Sequence, residues 1–259
     1  MNQMHSAPTV SGHNAVLHDA VRPQWSAEVI SWLLGSPLLG QRLEVLDLGV
    51  GTGLGTRSIA TLGHSVTAVD TDNDMLSVLR KVSEELSHGG VGLITAANGS
   101  AESIPLEDES VDAITCLQAW HWMDAERATF ECDRVLRQDG MMAMGWHTWD
   151  RTSEWVNGLA AIIEPDGPPD DQTRSVPREF AGRGIFERKD FAFNYELSVD
   201  QLVKLASSWA FVAQRSDQNA VLAKVCRLGD QLESSDGLVR FPHITAAFRL
   251  QLPSKDLVG

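Results

Sequence analysis

The sequence predicts an α/β domain on a mostly parallel sheet, and three observations carry that prediction. Short β-rich runs alternate with helical patterns over residues 45–148, the order that lays helices on the faces of a parallel sheet. The first run leads straight into a glycine-rich turn, LEVLDLGVGTGLG, Leu43–Gly55. Two further β-rich stretches, Lys189–Tyr195 and His243–Leu250, follow a break and are spaced to finish the same sheet as a pair.

Taken in order, Arg22–Leu34 reads as an amphipathic helix with Trp25, Val29, Trp32 and Leu33 along one face, placed to lid the sheet. The strands expected next are Val45–Leu48, Ser65–Asp70, Gly92–Ala96, Val111–Cys116 and Met141–Trp146. Between them, apolar residues at three-to-four spacing predict helices at Thr56–Leu62, Asp74–Leu86 and Ala125–Arg137, the last closed by Gly140. EPDGPPDD, Glu164–Asp171, is a loop, because Pro, Gly and Asp cluster there. Helical segments around Val199–Ser208 and Asn219–Leu232 complete the pattern. One structural domain is expected, with a leading segment 1–40, a core 41–150, a loop or helical insertion 151–185 and a closing part 186–259.

Composition excludes several classes of partner. With 43% hydrophobic residues the chain supports a sizeable core. Twenty-one Lys and Arg against 35 Asp and Glu leave a net charge of −14, a field that repels phosphate backbones and anionic lipid. Neither nucleic acid nor a membrane is therefore an expected partner. The start, MNQMHSAPTV, lacks a basic and apolar leader, and no apolar run of spanning length appears, so a soluble cytoplasmic protein is expected. Cys116, Cys132 and Cys226 fall in no CxxC or Cys/His pattern and read as buried thiols, so no metal site is expected. Glu107, Asp108, Glu109 and Asp112 read as a solvated acidic turn, and Arg174, Arg178, Arg183 and Arg188 as a salt-bridged surface. His13 and His18 read as surface histidines, with membership of a flexible lid as the alternative.

The glycine turn carries the first chemical signal. Glycines at the carboxyl end of a strand admit positive φ and let a ligand lie against the main chain. The dinucleotide fingerprint G-x-G-x-x-G/A fails here, because its sixth position is Leu54 counted from Gly49 and Thr56 counted from Gly51. Asp47, two residues before Gly49, can meet a cationic amine and would repel a pyrophosphate. Asp70 ends the second strand, where a carboxylate accepts hydrogen bonds from two ribose hydroxyls. A nucleoside with an amino-acid tail and no phosphate suits both acids, and S-adenosylmethionine is such a molecule.

On these residues the chain resembles the class I S-adenosylmethionine-dependent methyltransferases, in particular the type 11 group and its trans-aconitate methyltransferase-like branch. VLDLGVGTG, Val45–Gly53, is similar to the group's first motif, VRPQWSAEVISWLL, Val21–Leu34, to its leading segment, and NGSAESIPLEDESVDAIT, Asn98–Thr115, to its third and fourth motifs. WHTWDRTSEWVNGL, Trp146–Leu159, and RFPHITAAFRL, Arg240–Leu250, are similar to segments of that branch. The resemblance implies a Rossmann-like, seven-stranded, mostly parallel sheet with helices on both faces and one antiparallel strand in a terminal hairpin. It also implies that Arg22 approaches the methionine carboxylate and that Ser100 and Ala101 border the adenine, with Glu102 beside them. Gln118 in LQAWHWMD, Leu117–Asp124, then borders the cofactor. With Asp47, Gly49, Gly51, Gly53 and Asp70, these residues form the expected cofactor site.

Methyl transfer from a sulfonium is an in-line displacement, so the protein mainly aligns the partners and excludes water. His121 is the candidate catalytic base for an acceptor that keeps a proton, or else a positioning residue. Trp120 and Trp122 around it, with Trp146, His147 and Trp149 after the fifth strand, are the expected acceptor pocket. The function expected is S-adenosylmethionine-dependent O-methylation of a carboxylate or hydroxyl on a small molecule, in secondary metabolism, by a monomer or homodimer. Two alternatives stand beside it: an NAD-dependent oxidoreductase with a variant turn, and a cofactor-binding partner subunit without chemistry of its own.

Overall fold

A computed structural model describes residues 12–38, 40–86, 91–163 and 183–252. Helices α1 (Gly12–Val21) and α2 (Ala27–Leu33) precede β1 (Glu44–Leu48), α3 (Leu54–Thr61), β2 (Ser65–Asp70), α4 (Asn73–Leu86) and β3 (Ile94–Asn98). Then come β4 (Val111–Leu117), α5 (Ala125–Val135), β5 (Leu136–Trp149) and α6 (Glu154–Ile163). The chain closes with β6 (Ile185–Leu197), α7 (Val199–Ser207), α8 (Ala210–Ala213), α9 (Gln218–Leu232) and β7 (Val239–Gln251).

The seven strands form one sheet in the order β3-β2-β1-β4-β5-β7-β6. Pairings among β1 to β5 are parallel, while β7 runs antiparallel to both β5 and β6. The strand order reverses beside β1, with β2 on one side and β4 on the other. Open α/β sheets bind ligands at that crevice, outside the carboxyl ends of the strands.

Alternation along the strands builds two cores. Leu46, Leu48, Ile114, Cys116, Met142, Met144, Trp146 and Phe248 pack with Ala128, Cys132 and Val135 of α5 on one face. Their neighbours Val45, Ala113, Ala143 and Ala247 turn the other way, against Val29, Ile30 and Leu33 of α2 and Ile59 and Ala60 of α3. A third cluster joins α6, α7 and α9 to Leu197, Val239 and Phe241.

Several boundaries differ from the sequence expectation, each for an identifiable reason. The predicted helix Arg22–Leu34 is broken, since α1 ends at Val21, Pro23 lacks an N–H, and Ser26 caps α2 by accepting from Val29 N at 3.2 Å. Gly140 does not close α5. That helix stops at Val135, Leu136 is already extended and paired with Val111, and Gly140 lies inside β5. Arg137 draws this junction toward the acidic turn by donating to Asp112 Oδ1 at 2.7 Å, and Arg134 likewise reaches Asp108 and the carbonyls of Ile104 and Leu106. The third strand is Ile94–Asn98 rather than Gly92–Ala96, in register with Val66–Asp70. Pairing with β7 carries β5 on to Trp149. Of the surface arginines, Arg188 pairs with Asp190 and Arg183 with Asp133, whereas Arg174, Arg178 and the loop Glu164–Asp171 lie outside the described residues, as does the side chain of His13.

Trp25 packs closely against β5 because Gly145 has no side chain. A Cβ at position 145 would sit 2.7 Å from the Trp25 ring. Gly145→Ala is expected to lower stability by about 1–3 kcal/mol, the usual cost of overpacking. Urea denaturation measures it, and an unchanged midpoint would show that Trp25 is not packed there.

Candidate functional site

The site begins at the end of β1. Asp47 is 2% exposed, accepts from Thr115 Oγ1 and Thr56 Oγ1 at 2.7 Å each, and so ties β1 to β4 and α3. Burial lifts its carboxyl from 3.8 to about 6, against the pull of the two hydroxyls. The loop then turns through Gly49 and Gly51, at φ +66° and +55°, values an L side chain rarely adopts. A Cβ at Gly49 would collide with Ala119 Cβ at 2.5 Å, whereas nothing stands within 4 Å of one at Gly51, where the main chain faces open space. Gly51 N donates to Asp70 Oδ2 at 2.8 Å, and Asp72 N donates to Asp70 Oδ1 at 2.8 Å. Loop and ribose-acid candidate are thereby locked together at the ends of β1 and β2.

A cavity of about 740 Å³ opens at this edge, within the range of cofactor and small-molecule sites. It brings together all but one of the expected cofactor residues: Arg22, Asp47, Gly49, Gly51, Asp70, Ser100, Ala101, Glu102 and Gln118 line it, whereas Gly53 does not and serves as the left-handed N-cap of α3, against Leu79. Gln118 sits at φ +65°, its N–H on Gly145 O, so the chain leaves β4 sharply. Glu102 Oε1 accepts from Asp124 N at 2.8 Å and holds the far end of that turn.

The expected acceptor residues divide. Trp120 to Trp122 form one tight helical turn, which sends successive rings different ways. Trp120 is buried in the core with Ala101, Ile104 and Ala128, away from the cavity, and the pocket expectation is corrected there. Trp122 is 43% exposed and lines the cavity. His121 is exposed, leans against Trp122 with ring centroids 4.7 Å apart and the planes tilted by 46°, and is outside the cavity lining, so this structure does not place it as a base. Alternation along β5 settles the rest: Trp146 points into the opposite core against Phe248, also a correction, while His147 and Trp149 face the cavity.

Other lining residues were not singled out. Trp25 stacks on His147 at 4.0 Å, and Trp149 meets Trp209 at 5.0 Å. His243 on β7 stands opposite Trp149, and Thr245 opposite His147. His147 Nδ1 is 2.8 Å from Thr245 Oγ1, and His243 Nδ1 is 2.9 Å from Phe241 O. His18, expected at the surface, also lines the cavity, and burial lowers its pKa to about 4. Arg22, in the break between α1 and α2, has its Nε buried without a partner. Nη2 donates to Ser208 O at 3.5 Å, and burial lowers the pKa of the guanidinium to about 10. A buried guanidinium of this kind calls for an anion. Among the described residues no group of three or more His, Cys, Asp or Glu is placed to hold a metal, and no helix is long and apolar enough to cross a membrane.

Comparison with known proteins gives consistent results. A methyltransferase domain family matches residues 46–144. An uncharacterized methyltransferase of Mycobacterium tuberculosis H37Rv is 36% identical over 236 residues, covering 89% of this chain and 90% of its own. An uncharacterized methyltransferase-like protein of Schizosaccharomyces pombe is 30% identical over 242 residues, covering 89% and 91%. Among solved structures, the YcgJ protein of Bacillus subtilis superposes with a TM-score of 0.55 at 20% identity, covering 88% of this chain and all of its own, and shares the fold.

Burial lowers the pKa of His147 to about 3 and that of His243 to about 4. Their unfolded counterparts take up a proton near 6.5, so the stability these neutral rings carry at neutral pH is lost as pH falls below that value, about 2 kcal/mol each by pH 5. Asp47 acts oppositely: its raised pKa of about 6 returns roughly 1 kcal/mol over the same interval. The urea midpoint is therefore expected to fall between pH 7 and pH 5. A midpoint that holds or rises would contradict the burial of the two rings.

Proposed function

The chain belongs to the S-adenosylmethionine-dependent methyltransferases, and from that premise we propose that it methylates an oxygen, a carboxylate or a hydroxyl, on a small molecule of secondary metabolism. The observation that carries this reading is the composition of the cavity just described. Its glycine and acid end suits a nucleoside with a charged tail, and its other end, over β5 and β7, is walled by Trp25, Trp149 and Trp209.

The residues present fit the cofactor. Gly51 leaves its main chain open to the cavity, and the orphaned Nε of Arg22 suits the methionine carboxylate. Asp47, with both oxygens already held by hydroxyls, keeps lone pairs for the ammonium group, whose charge draws its raised pKa back down. Asp70 receives the two ribose hydroxyls on the lone pairs its backbone partners leave free. Ser100 and Ala101 border the adenine, and Gln118 the tail. When bound, the cofactor supplies an electrophilic methyl group on a sulfonium. Trp122 and Trp149 then shield that region from water and offer ring faces that tolerate the positive charge.

A net charge of −14 supports a small acceptor over nucleic acid. The family favours neither the NAD-dependent reading nor the non-catalytic one. The test is to supply S-adenosylmethionine labelled in its methyl group with a metabolite extract. Label is expected in the low-mass fraction, as an alkali-labile ester or a stable ether, and label confined to macromolecules would refute the proposal.

Two variants probe the residue assignments. Asp70→Ala is expected to weaken S-adenosylhomocysteine binding by about 1.5–3 kcal/mol in calorimetry, as charged hydrogen bonds disappear. Unchanged affinity would remove the ribose role. His121→Ala is expected to leave turnover within about twofold, because the imidazole stands outside the cavity lining; a fall of the order of 100-fold with cofactor binding intact would restore it as a base.

A further inference from the structure

The aromatic end of the cavity holds a histidine whose protonation the backbone dictates. His243 is 4% exposed and sits edge-on to Phe241 at 4.3 Å, with Phe193 at 5.3 Å and Tyr195 at 6.1 Å between ring centroids. Its Nδ1 is 2.9 Å from the carbonyl oxygen of Phe241. A carbonyl only accepts, so Nδ1 carries a proton. Burial holds the ring neutral at pH 7, with a pKa of about 4. A neutral imidazole has one such proton, and Nε2 is therefore a bare lone pair.

That lone pair has no hydrogen-bond partner among the described residues, and the residue lines the cavity. The other two cavity histidines differ. His147 also leaves its buried Nε2 without a partner, but its Nδ1 meets the hydroxyl of Thr245, which can give or accept a proton, and His18 Nδ1 is unpartnered. Only His243 has its tautomer set by the main chain. Its ionisable neighbours are His147 on β5 and Tyr195 on β6, the latter beside Arg22.

We infer that His243 Nε2 receives the proton of the methyl acceptor, so that the acceptor brings a hydroxyl to this cavity rather than a carboxylate. The inference rests on the methyltransferase reading and narrows it. A carboxylate would press its own lone pairs against Nε2, whereas a hydroxyl donates to it. In the step, the hydroxyl oxygen forms the bond to the methyl carbon as the carbon–sulfur bond breaks, that electron pair going to sulfur. The hydroxyl proton passes to Nε2. One positive charge thus leaves sulfur and one appears on the imidazole, and the cavity keeps its net charge. A weakly basic ring suffices, because an O-methylated oxonium is a far stronger acid than an imidazolium. Trp149 and Trp209 wall the same end, which fits a phenol or another hydroxyl on an apolar body.

The test uses the full chain with 15N-labelled histidine, loaded with S-adenosylhomocysteine, and phenol and benzoate as probes. His243→Asn assigns the resonance; its shorter amide still offers an N–H to Phe241 O while deleting Nε2, and an unchanged melting temperature shows that it folds. The expected results are a neutral Nδ1–H tautomer at His243, an Nε2 resonance that moves with phenol and not with benzoate, and about a 100-fold lower kcat for His243→Asn on a hydroxyl acceptor, with homocysteine-product affinity within twofold. An Nε2–H tautomer, a response to benzoate alone, a response to neither probe, or a methyl ester as the sole enzymatic product would each overturn the inference. Failure of the wild-type chain to bind S-adenosylhomocysteine would instead count against the reading beneath it, and the tautomer would still be read on the unloaded protein.

Discussion

A carboxylate buried under a glycine turn is the constraint on which this architecture depends. Asp47 gives up its water for two threonine hydroxyls, one from the neighbouring strand and one from the helix that follows the turn. Those bonds offset part of its desolvation, and the pKa of about 6 measures what they leave uncovered. Because Thr115 and Thr56 must both reach it, β1, β4 and α3 are fixed relative to one another at the crevice where the strand order reverses. The turn between them has little room: Gly49 rests against Ala119, and Gly51 is tied to Asp70. Placement of Asp70, the loop and the segment after β4 all descend from that one buried group.

The other half of the cavity follows from pleating. On β5 the odd-numbered residues 145, 147 and 149 face Trp25, the cavity and Trp209, while Trp146 joins Met142 and Met144 in the opposite core. On β7, paired residue for residue with β5, His243 and Thr245 take the matching side. Two strands brought together only in the folded chain thus furnish a row of rings and imidazoles. Its dryness shows in the lowered pKa values of His147 and His243.

Much of this was legible in the sequence, and the omissions have a common cause. Alternating glycines, an acid two residues before them and an acid ending the next strand are local patterns, and all but Gly53 fall on the cavity. The hairpin was legible from two β-rich runs. What stayed hidden needed distant partners. Met141–Trp146 looks like a complete strand until β7 extends it, and only then does the parity that buries Trp146 and exposes Trp149 to the cavity become fixed. His243 lies in a stretch whose resemblance gives it no role, and its place depends on standing across from Trp149. Trp120 and Trp122 could not be told apart before the turn between them was known to be a single tight helical one. Arg22 was suggested by resemblance, and the physical reason it reaches the cavity is the proline beside it, which ends α1 and leaves the guanidinium in a joint.

Arg57 joins α1 to the rest of the fold. From α3 it donates to the carbonyl of Thr52 in the glycine turn and, at 2.8 Å, to Asp19 in α1. Arg22 and Trp25 belong to the same leading segment. A chain cut before β1 would keep all seven strands and most of both sheet-face cores. It would nonetheless leave Arg57 without its carboxylate, uncover Gly145, and remove the buried cation, so that what survived would be a scaffold holding half a binding site. The leading segment is thus as integral to the cavity as any strand of the sheet.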